Sequence, residues 1–503
     1  MNGPVVETLC ERLLPALPET VRRPAYARSG LKHGIAHIGV GAFHRCHQAE
    51  YTDDLLAGGF DDRGIVGINV REPRLDGTLG RQDGLYTRLC REDDDVEARV
   101  IGSILSVVDS QQDAGPALSV LASPDIDVVT LTITEKGYCH RPASGELDPG
   151  HPDIVHDLAN PERPRSVPGI LARMLEMRMQ SHGRPVTILS CDNIPANGVL
   201  LGNVVRALAE RRPAGLAGWL ESHAAFPSAM VDRIAPATTG ADLDFVEKNF
   251  GYRDRAAVVG EPFRQWVIEN RFASSVPAWE RVGGTFVGAV EPYEHLKMRV
   301  LNGAQTSLCY LGVFTGLEYT CDDMADPLLA GFVRRMLLEE TLPTLRPVPG
   351  IVVEDYVEQS LKRLRNRAIR HRNHQIATDG SQKIVQRLVN PIRDRLRENR
   401  GVPLLATALA GWMAYLVAAS SRFGKRWQAD DPYAGTVAAI ADRIGDDPPA
   451  LVGAILSLDS IFPEELSGNE RLRALLAQRL AGLLGPDPRG FIRRILDEDH
   501  VRS

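Results

Sequence analysis

The chain has 503 residues, with 58 Lys and Arg against 65 Asp and Glu, a net charge of −7, 44% hydrophobic residues and 24% charged ones. That length points to two domains, and the composition is globular, which excludes a largely disordered chain. Charges of both signs interleave, so short clusters such as Arg363-Leu364-Arg365 read as solvated helix faces and nothing directs the chain to nucleic acid.

In chain order, Met1–Leu17 lacks a basic segment followed by a clean apolar stretch, so no signal peptide is expected. GIAHIGVG, Gly34–Gly41, reads as a buried strand ending in glycines, and an amphipathic helix follows over His44–Leu56. GIVGINV (Gly64–Val70), DVVTLTIT (Asp127–Thr134) and VTILSC (Val186–Cys191) are further strand-like runs. Continuous apolar strands separated by helices predict a parallel sheet covered on both faces, hence a Rossmann-type, doubly wound α/β domain over residues 1–292. From about Tyr293 helical periodicity takes over, broken by Pro343–Pro349 and Asp446–Pro449, and predicts a mostly α-helical substrate and catalytic domain over residues 293–503. Val402–Ala419 is apolar, but it is short, Ala-rich and begins beside Pro403, so it reads as a buried helix and not as a membrane span. Cys10, Cys46, Cys90, Cys139, Cys191, Cys309 and Cys321 are widely spaced with no C-x-x-C pair, which predicts neither disulfides nor structural zinc and suits a reducing cytoplasm.

The first strand-to-helix junction, His37-Ile38-Gly39-Val40-Gly41-Ala42-Phe43-His44-Arg45, carries the nucleotide signal. Gly39 allows a tight turn and Gly41 lets the backbone approach a pyrophosphate at a helix start, with Phe43, His44 and Arg45 opening that helix. His44 stands where G-x-G-x-x-G has its third glycine. After the second strand, Glu72 suits the ribose hydroxyls of NAD, while Arg71 beside it suits the 2′-phosphate of NADP; NAD is the expected cofactor with NADP open.

Polar residues follow apolar runs at three further places: Thr132–Tyr138, which includes Thr134 and Glu135; Ser190–Pro195, which includes Asn193; and Met230–Arg233, which includes Asp232. The carboxyl ends of strands are where open α/β sheets bind ligands. In Tyr293–Gln305, read as one helix, Lys297, Gln305 and Asn302 fall at roughly 0°, 80° and 140°, with Lys297 on the apolar seam, where a lysine is either snorkelling or functional. Tyr293 and Lys297 also mimic the Tyr-x-x-x-Lys pair of short-chain dehydrogenases, but those chains are about half this length and carry a different glycine pattern. No Cys/His/Glu set has the spacing of a zinc alcohol dehydrogenase, so no metal is expected.

Together these segments resemble the polyol-specific long-chain dehydrogenases, the mannitol 2-dehydrogenase and fructuronate reductase (mannonate oxidoreductase) family. The resemblance runs through AHIGVGAFHRCHQAEYTDDLL from Ala36, TLTITEKGYC from Thr130, ILSCDNIPANG from Ile188, FPSAMVDRIAP from Phe226, EPFRQWVIENRF from Glu261, KMRVLNGAQ from Lys297 and IATDGSQK from Ile376. It implies an active site between the two domains, Lys297 as acid/base, Asn193 and Asn302 on the reacting oxygen, and Asp232 and Lys383 lining the substrate site. It also implies NAD(H) or NADP(H), no metal, and a monomer or weak homo-oligomer. To oxidise an alcohol Lys297 must be uncharged, which burial favours, and the amide N–H groups would stabilise developing alkoxide character.

Mannitol dehydrogenases carry histidine where this chain has Gln305 and arginine where it has Gln375, and both positions contact substrate there. His371–Ala377 looks more like the fructuronate reductase branch, in which Arg370 or Arg372 would hold a carboxylate, although an exposed basic helix end reads equally well. The leading expectation is a mannitol 2-dehydrogenase-like polyol-to-ketose reaction, with mannonate to fructuronate close behind. A nucleotide-binding protein without catalysis is the remote third, suggested by Gln305. The expected partner is a small polyol or sugar acid, with no nucleic acid and no membrane.

Overall fold

The structure is a computed structural model that describes residues 6–141, 144–212 and 215–500, so the first five residues of the N-terminal stretch lie outside it. The chain divides into two compact units, Met1–Glu291 and Pro292–Ser503.

The first unit is built on six parallel strands: β1 (Lys32–Ile38), β2 (Arg63–Asn69), β3 (Ile104–Asp109), β4 (Val128–Leu131), β5 (Val186–Ser190) and β6 (Ala224–Ala225). They pair in the order 3-2-1-4-5-6, the arrangement of a dinucleotide-binding sheet. Alternate side chains serve two separate cores. Ala36, Ile38, Val129, Leu131 and Ile188 face one, and Ile35, Ile65, Val128 and Leu189 face the other. Burial on both faces is why these strands read as unbroken apolar runs, each buried Ile or Val contributing on the order of 1.5–3 kcal/mol.

Two strands at the sheet's flanks, β3 and β6, are missing from the sequence reading. The partly exposed β3 and the two-residue β6 have too little apolar signal to stand out. The helix expected over His44–Leu56 is broken at His47 (φ −128°, ψ −88°) into α1 (Ala42–Cys46) and α2 (Gln48–Ala57). A three-stranded mixed sheet, β7 (Ala229–Asp232), β8 (Gln265–Glu269) and β9 (Gly284–Val287), and a four-stranded sheet including the Tyr86–Glu92/Asp95–Ile101 hairpin complete the unit.

Every element of the second unit is helical among the described residues. It opens with α3 (Glu291–Lys297), passes through a π-helical stretch, Met298–Asn302, and continues as α4 (Gly303–Phe314). Two further π stretches, Met336–Thr341 and Val385–Val389, pack against the first. The short helices α5 (Asn373–Ala377) and α6 (Gly380–Ile384) lead into the last of them. The apolar segment is α7 (Pro403–Ala418), buried throughout from Leu404 to Ala418 and started by the buried Glu340 carboxylate, which accepts the Leu404 and Leu405 N–H groups at 2.8 and 2.7 Å. At 16 residues it runs about 24 Å, and no described helix is long and apolar enough to cross a membrane.

Candidate active site

The glycine turn after β1 leaves no room for a side chain. Gly39 has φ +93°, and a Cβ there would lie 2.1 Å from the Thr132 carbonyl oxygen. Gly39 N–H donates to Ile68 O at 2.9 Å and Thr132 Oγ1 donates to Gly39 O at 2.8 Å, which locks the turn between β2 and the end of β4. Gly41, exposed, begins α1. That helix spans only five residues, and the Gly39 and Gly41 N–H groups are given to Ile68 O and Gly39 O at 2.9 and 2.7 Å.

His44 is fully buried and stacks on His37 with ring centroids 3.3 Å apart. Burial holds both imidazoles neutral, lowering His37 to about 3 and His44 well below its ordinary value. His44 therefore supports the turn from beneath and meets a ligand only through that turn. Arg45 is likewise turned inward, onto the Ala256 carbonyl and over the Tyr86 ring, while Phe43 stays half-buried on α1.

At the carboxyl ends of β2 and β3 lies a cavity of about 630 Å³ lined by Val70, Arg71, Ser110, Gln111, Arg163 and Arg165 among others. Arg71 faces this space. Glu72 is exposed and is not part of its lining, its carboxylate accepting the Arg74 N–H at 3.1 Å.

Thr134 and Glu135 are exposed at the end of β4, and Thr134 has φ +63°, ψ 163°, a strained conformation for a β-branched residue. The buried Asp192 carboxylate holds it, accepting Ile133 N–H at 3.0 Å, Thr134 N–H at 2.9 Å and Tyr138 O–H at 2.8 Å. Burial raises the Asp192 pKa and these donors oppose the rise. Asn193 follows, exposed, at the carboxyl end of β5. Asn197, which sequence reasoning missed, donates to Asp192 O and Ala229 O at 2.8 Å each and joins the end of β5 to β7.

Asp232, buried, ends β7, and its neighbour Arg233 donates to Glu50 of α2 at 2.6 Å. Burial alone would raise Glu50, but Arg233, Arg88 and Arg264 outweigh it and hold the carboxyl at about 2. This charge cluster fixes the Asp232 strand end against the helix that follows the glycine turn.

In the second unit Lys297 and Asn302 are each only 7% exposed, one ending α3 and the other ending the π stretch. The π geometry corrects the single-helix reading. At about 80° per residue, five π steps place Asn302 about 40° from Lys297, not roughly 140°. Three α-helical steps further bring Gln305 to within about 20° of Lys297. All three share one face.

Gln305 Nε2 lies 3.1 Å from His371 Nδ1. His371 is not singled out by the sequence, where it is one of six basic or amide residues in a row, Arg370 to Gln375, and nothing marks its partner. Burial, and then the Lys383 charge, lower its pKa. Asn373 anchors the segment by donating to Asp323 Oδ1 at 3.2 Å, and burial pushes the Asp323 carboxyl up to about 8.

Gln375 is exposed on α5. Lys383 on α6 donates to the carbonyls of Thr378 and Ile376, and its pKa is lowered by burial and by Arg387. The two arginines offered for a carboxylate are already engaged at the surface. Arg372 pairs with exposed Glu318 at 3.3 Å, and Arg370 lies 4.1 Å over the Tyr319 ring.

One described group, Cys139, His151 and Asp153, brings three potential metal-ligand atoms within 4.8 Å of one another. Burial pushes the Cys139 thiol up to about 12, and three donors fall short of a closed tetrahedral set.

The sequence matches the family model of the mannitol dehydrogenase Rossmann domain over residues 33–281 and that of the mannitol dehydrogenase C-terminal domain over residues 289–484. It is 38% identical over 454 residues to the D-mannonate oxidoreductase of Escherichia coli, covering 89% of this chain and 93% of that one. It is 36% identical over 483 residues to the mannitol 2-dehydrogenase of Cereibacter sphaeroides, covering 95% and 100%. The solved mannitol 2-dehydrogenase of Pseudomonas fluorescens, in ternary complex with NAD and D-mannitol, aligns with a TM-score of 0.87 at 35% identity over 97% of this chain and 99% of that one.

Proposed function

The chain belongs to the mannitol dehydrogenase family, and from that premise we propose that it interconverts a secondary alcohol of a linear polyol or sugar acid with the corresponding ketone, using NAD and no metal. The observation that carries this reading is the π stretch, which gathers Lys297, Asn302 and Gln305 on one face of a buried helix.

The glycine turn fits a dinucleotide: its backbone approaches Thr132 so closely that no side chain fits, and it stands at the carboxyl end of β1. The bound nicotinamide supplies the hydride acceptor. Lys297 Nζ takes the hydroxyl proton in oxidation and returns it in reduction. Asn193 and Asn302 donate N–H to the oxygen as it gains alkoxide character, and Asp232 and Lys383 orient the remaining hydroxyls. Mannitol to fructose is one form of this reaction and mannonate to fructuronate is the other. NAD is the first choice of cofactor; Arg71, in the wall of the adenosine-side cavity, is the observation that favours NADP instead. Seven unpaired cysteines, six of them buried, suit a cytoplasmic enzyme.

The test is Lys297→Ala, assayed at the NADH absorbance band with mannitol, arabinitol, sorbitol, mannonate and altronate, each with NAD and NADP. Loss of a general base predicts a fall in kcat of roughly 100- to 10,000-fold with NADH affinity nearly unchanged. Near-normal turnover in the variant refutes the mechanism.

A further inference from the structure

We propose that Arg387, together with Lys383, forms a seat for a substrate carboxylate, so that the physiological substrate is a sugar acid and not a neutral polyol. The inference rests on the dehydrogenase reading above and names the substrate class within it.

Three buried guanidinium groups elsewhere in this chain are well supplied with acceptors, although Arg88 and Arg299 each keep a buried N–H without one. Arg178 gives five hydrogen bonds to the carbonyls of Leu121, Ser123, Ile126, Arg184 and Pro185. Arg233 has Glu50 and the carbonyls of Cys46 and Glu261. Arg395 reaches the carbonyls of Gly401, Glu339 and Glu340. Arg387 is as deeply buried, yet among the described residues it makes one hydrogen bond, from Nη1 to Thr306 Oγ1 at 2.8 Å, and no ion pair. Burial without a counter-charge lowers its pKa to about 10.

One helical turn earlier on the same segment stands Lys383, whose ammonium has two carbonyl acceptors and no carboxylate within ion-pairing distance among the described residues. Two like charges four residues apart in a largely buried place repel, and the arrangement is costly unless an anion joins them. Asp379 and Asp431 act on Lys383 from a distance, but among the described residues neither forms an ion pair with it or with Arg387.

The place is that of the proposed reaction. Thr306, which holds Arg387, is next in sequence to Gln305, and Gln305 contacts His371. The Arg387 backbone also lies against the start of α4. A Cβ on Gly303, the residue after Asn302, would be 3.3 Å from the Arg387 carbonyl oxygen. The guanidinium has spent Nη1 on Thr306, so the edge left over is Nε and Nη2. Those two parallel N–H groups match the two oxygens of a carboxylate. Arg370 and Arg372, the residues that sequence position offers for this task, lie by contrast against Tyr319 and Glu318, the Arg372–Glu318 pair being exposed.

The experiment compares matched pairs that differ only at the terminal carbon: mannitol with mannonate, and mannitol with mannitol 1-phosphate. The seat predicts that wild-type kcat/KM for the aldonate exceeds that for the alditol at least 100-fold. In Arg387→Gln that preference collapses by roughly 10- to 100-fold, the loss expected for one charge-assisted pair, and through KM more than kcat. Calorimetric titration of mannonate into the wild-type enzyme with NADH present reads the same seat without turnover or mutation. Binding tighter than mannitol by at least tenfold is expected.

Equal or better use of mannitol, an unchanged preference in Arg387→Gln, or a preference for the phosphate each overturns the proposal. If no compound is turned over, the dehydrogenase reading fails first. The titration then decides the seat by itself: mannonate binding no tighter than mannitol would end it.

Discussion

Replacing Asp192 tests how the first unit holds its strained loop. Asp192 Oδ2 accepts Ile133 N–H and Tyr138 O–H, and Oδ1 accepts Thr134 N–H. In Asp192→Ala the Ile133 N–H is left buried without an acceptor, at a cost of about 1–3 kcal/mol, and the charge-assisted bonds to Thr134 and Tyr138 are lost as well. Tyr138 retains Ser190 Oγ at 2.5 Å, and release of Thr134 from φ +63° returns about 1–3 kcal/mol of strain. The net loss is on the order of 2–4 kcal/mol. Asp192→Asn behaves differently, because its amide oxygen can keep Ile133 and Tyr138 and only the Thr134 N–H, facing a donor NH2 group, loses its acceptor. About 1 kcal/mol is expected there. Urea unfolding followed by tryptophan fluorescence measures both, and NADH titration reads the loop, with affinity falling at least tenfold in the alanine variant. Equal losses for Asn and Ala, or an alanine variant within about 0.5 kcal/mol of wild type, would refute the assignment of Asp192 as the loop's clamp.

Glu50 makes the first unit acid-sensitive. Its folded pKa, about 2, lies below the ordinary 4.5, so its contribution is complete above pH 4.5 and is lost as pH falls towards 2, on the order of 3 kcal/mol in all. Thermal melts between pH 7 and pH 3 will show a steeper loss for wild type than for Glu50→Gln, which starts lower because Arg233 loses its counter-charge; parallel curves would contradict this. Gly39→Ala brings a Cβ within 2.1 Å of Thr132 O at φ +93°, a clash that must shift the turn. NADH affinity should fall tenfold or more, and an unchanged dissociation constant would show that the turn does not hold the nucleotide.

Much of the first unit is legible because its strands are buried on both faces. Local composition alone marks β1, β2, β4 and β5, whose inward residues are almost all buried. The glycine turn is legible for a similar reason, since its steric demand is local. β3 escapes because one side of it is only partly covered, and the break at His47 escapes because helical periodicity continues across it. In the second unit α7 reads as a buried helix from its sequence, being apolar all round.

The helix carrying Lys297 shows where such reading stops. Periodicity assumes one pitch, and the π stretch changes that pitch where it packs against the segments Met336–Thr341 and Val385–Val389. The sequence by itself determined the doubly wound sheet, the glycine turn and the family, because each depends on residue types close together in the chain. Only the tertiary structure decided that Gln305 meets His371, that Arg370 and Arg372 lie beside Tyr319 and Glu318, and that Arg387 is buried without an ion-pair partner. Those facts depend on which residues far apart in the chain, up to 81 positions for Arg387 and Thr306, come together, and long-range packing and charge pairing leave no periodic trace in the chain.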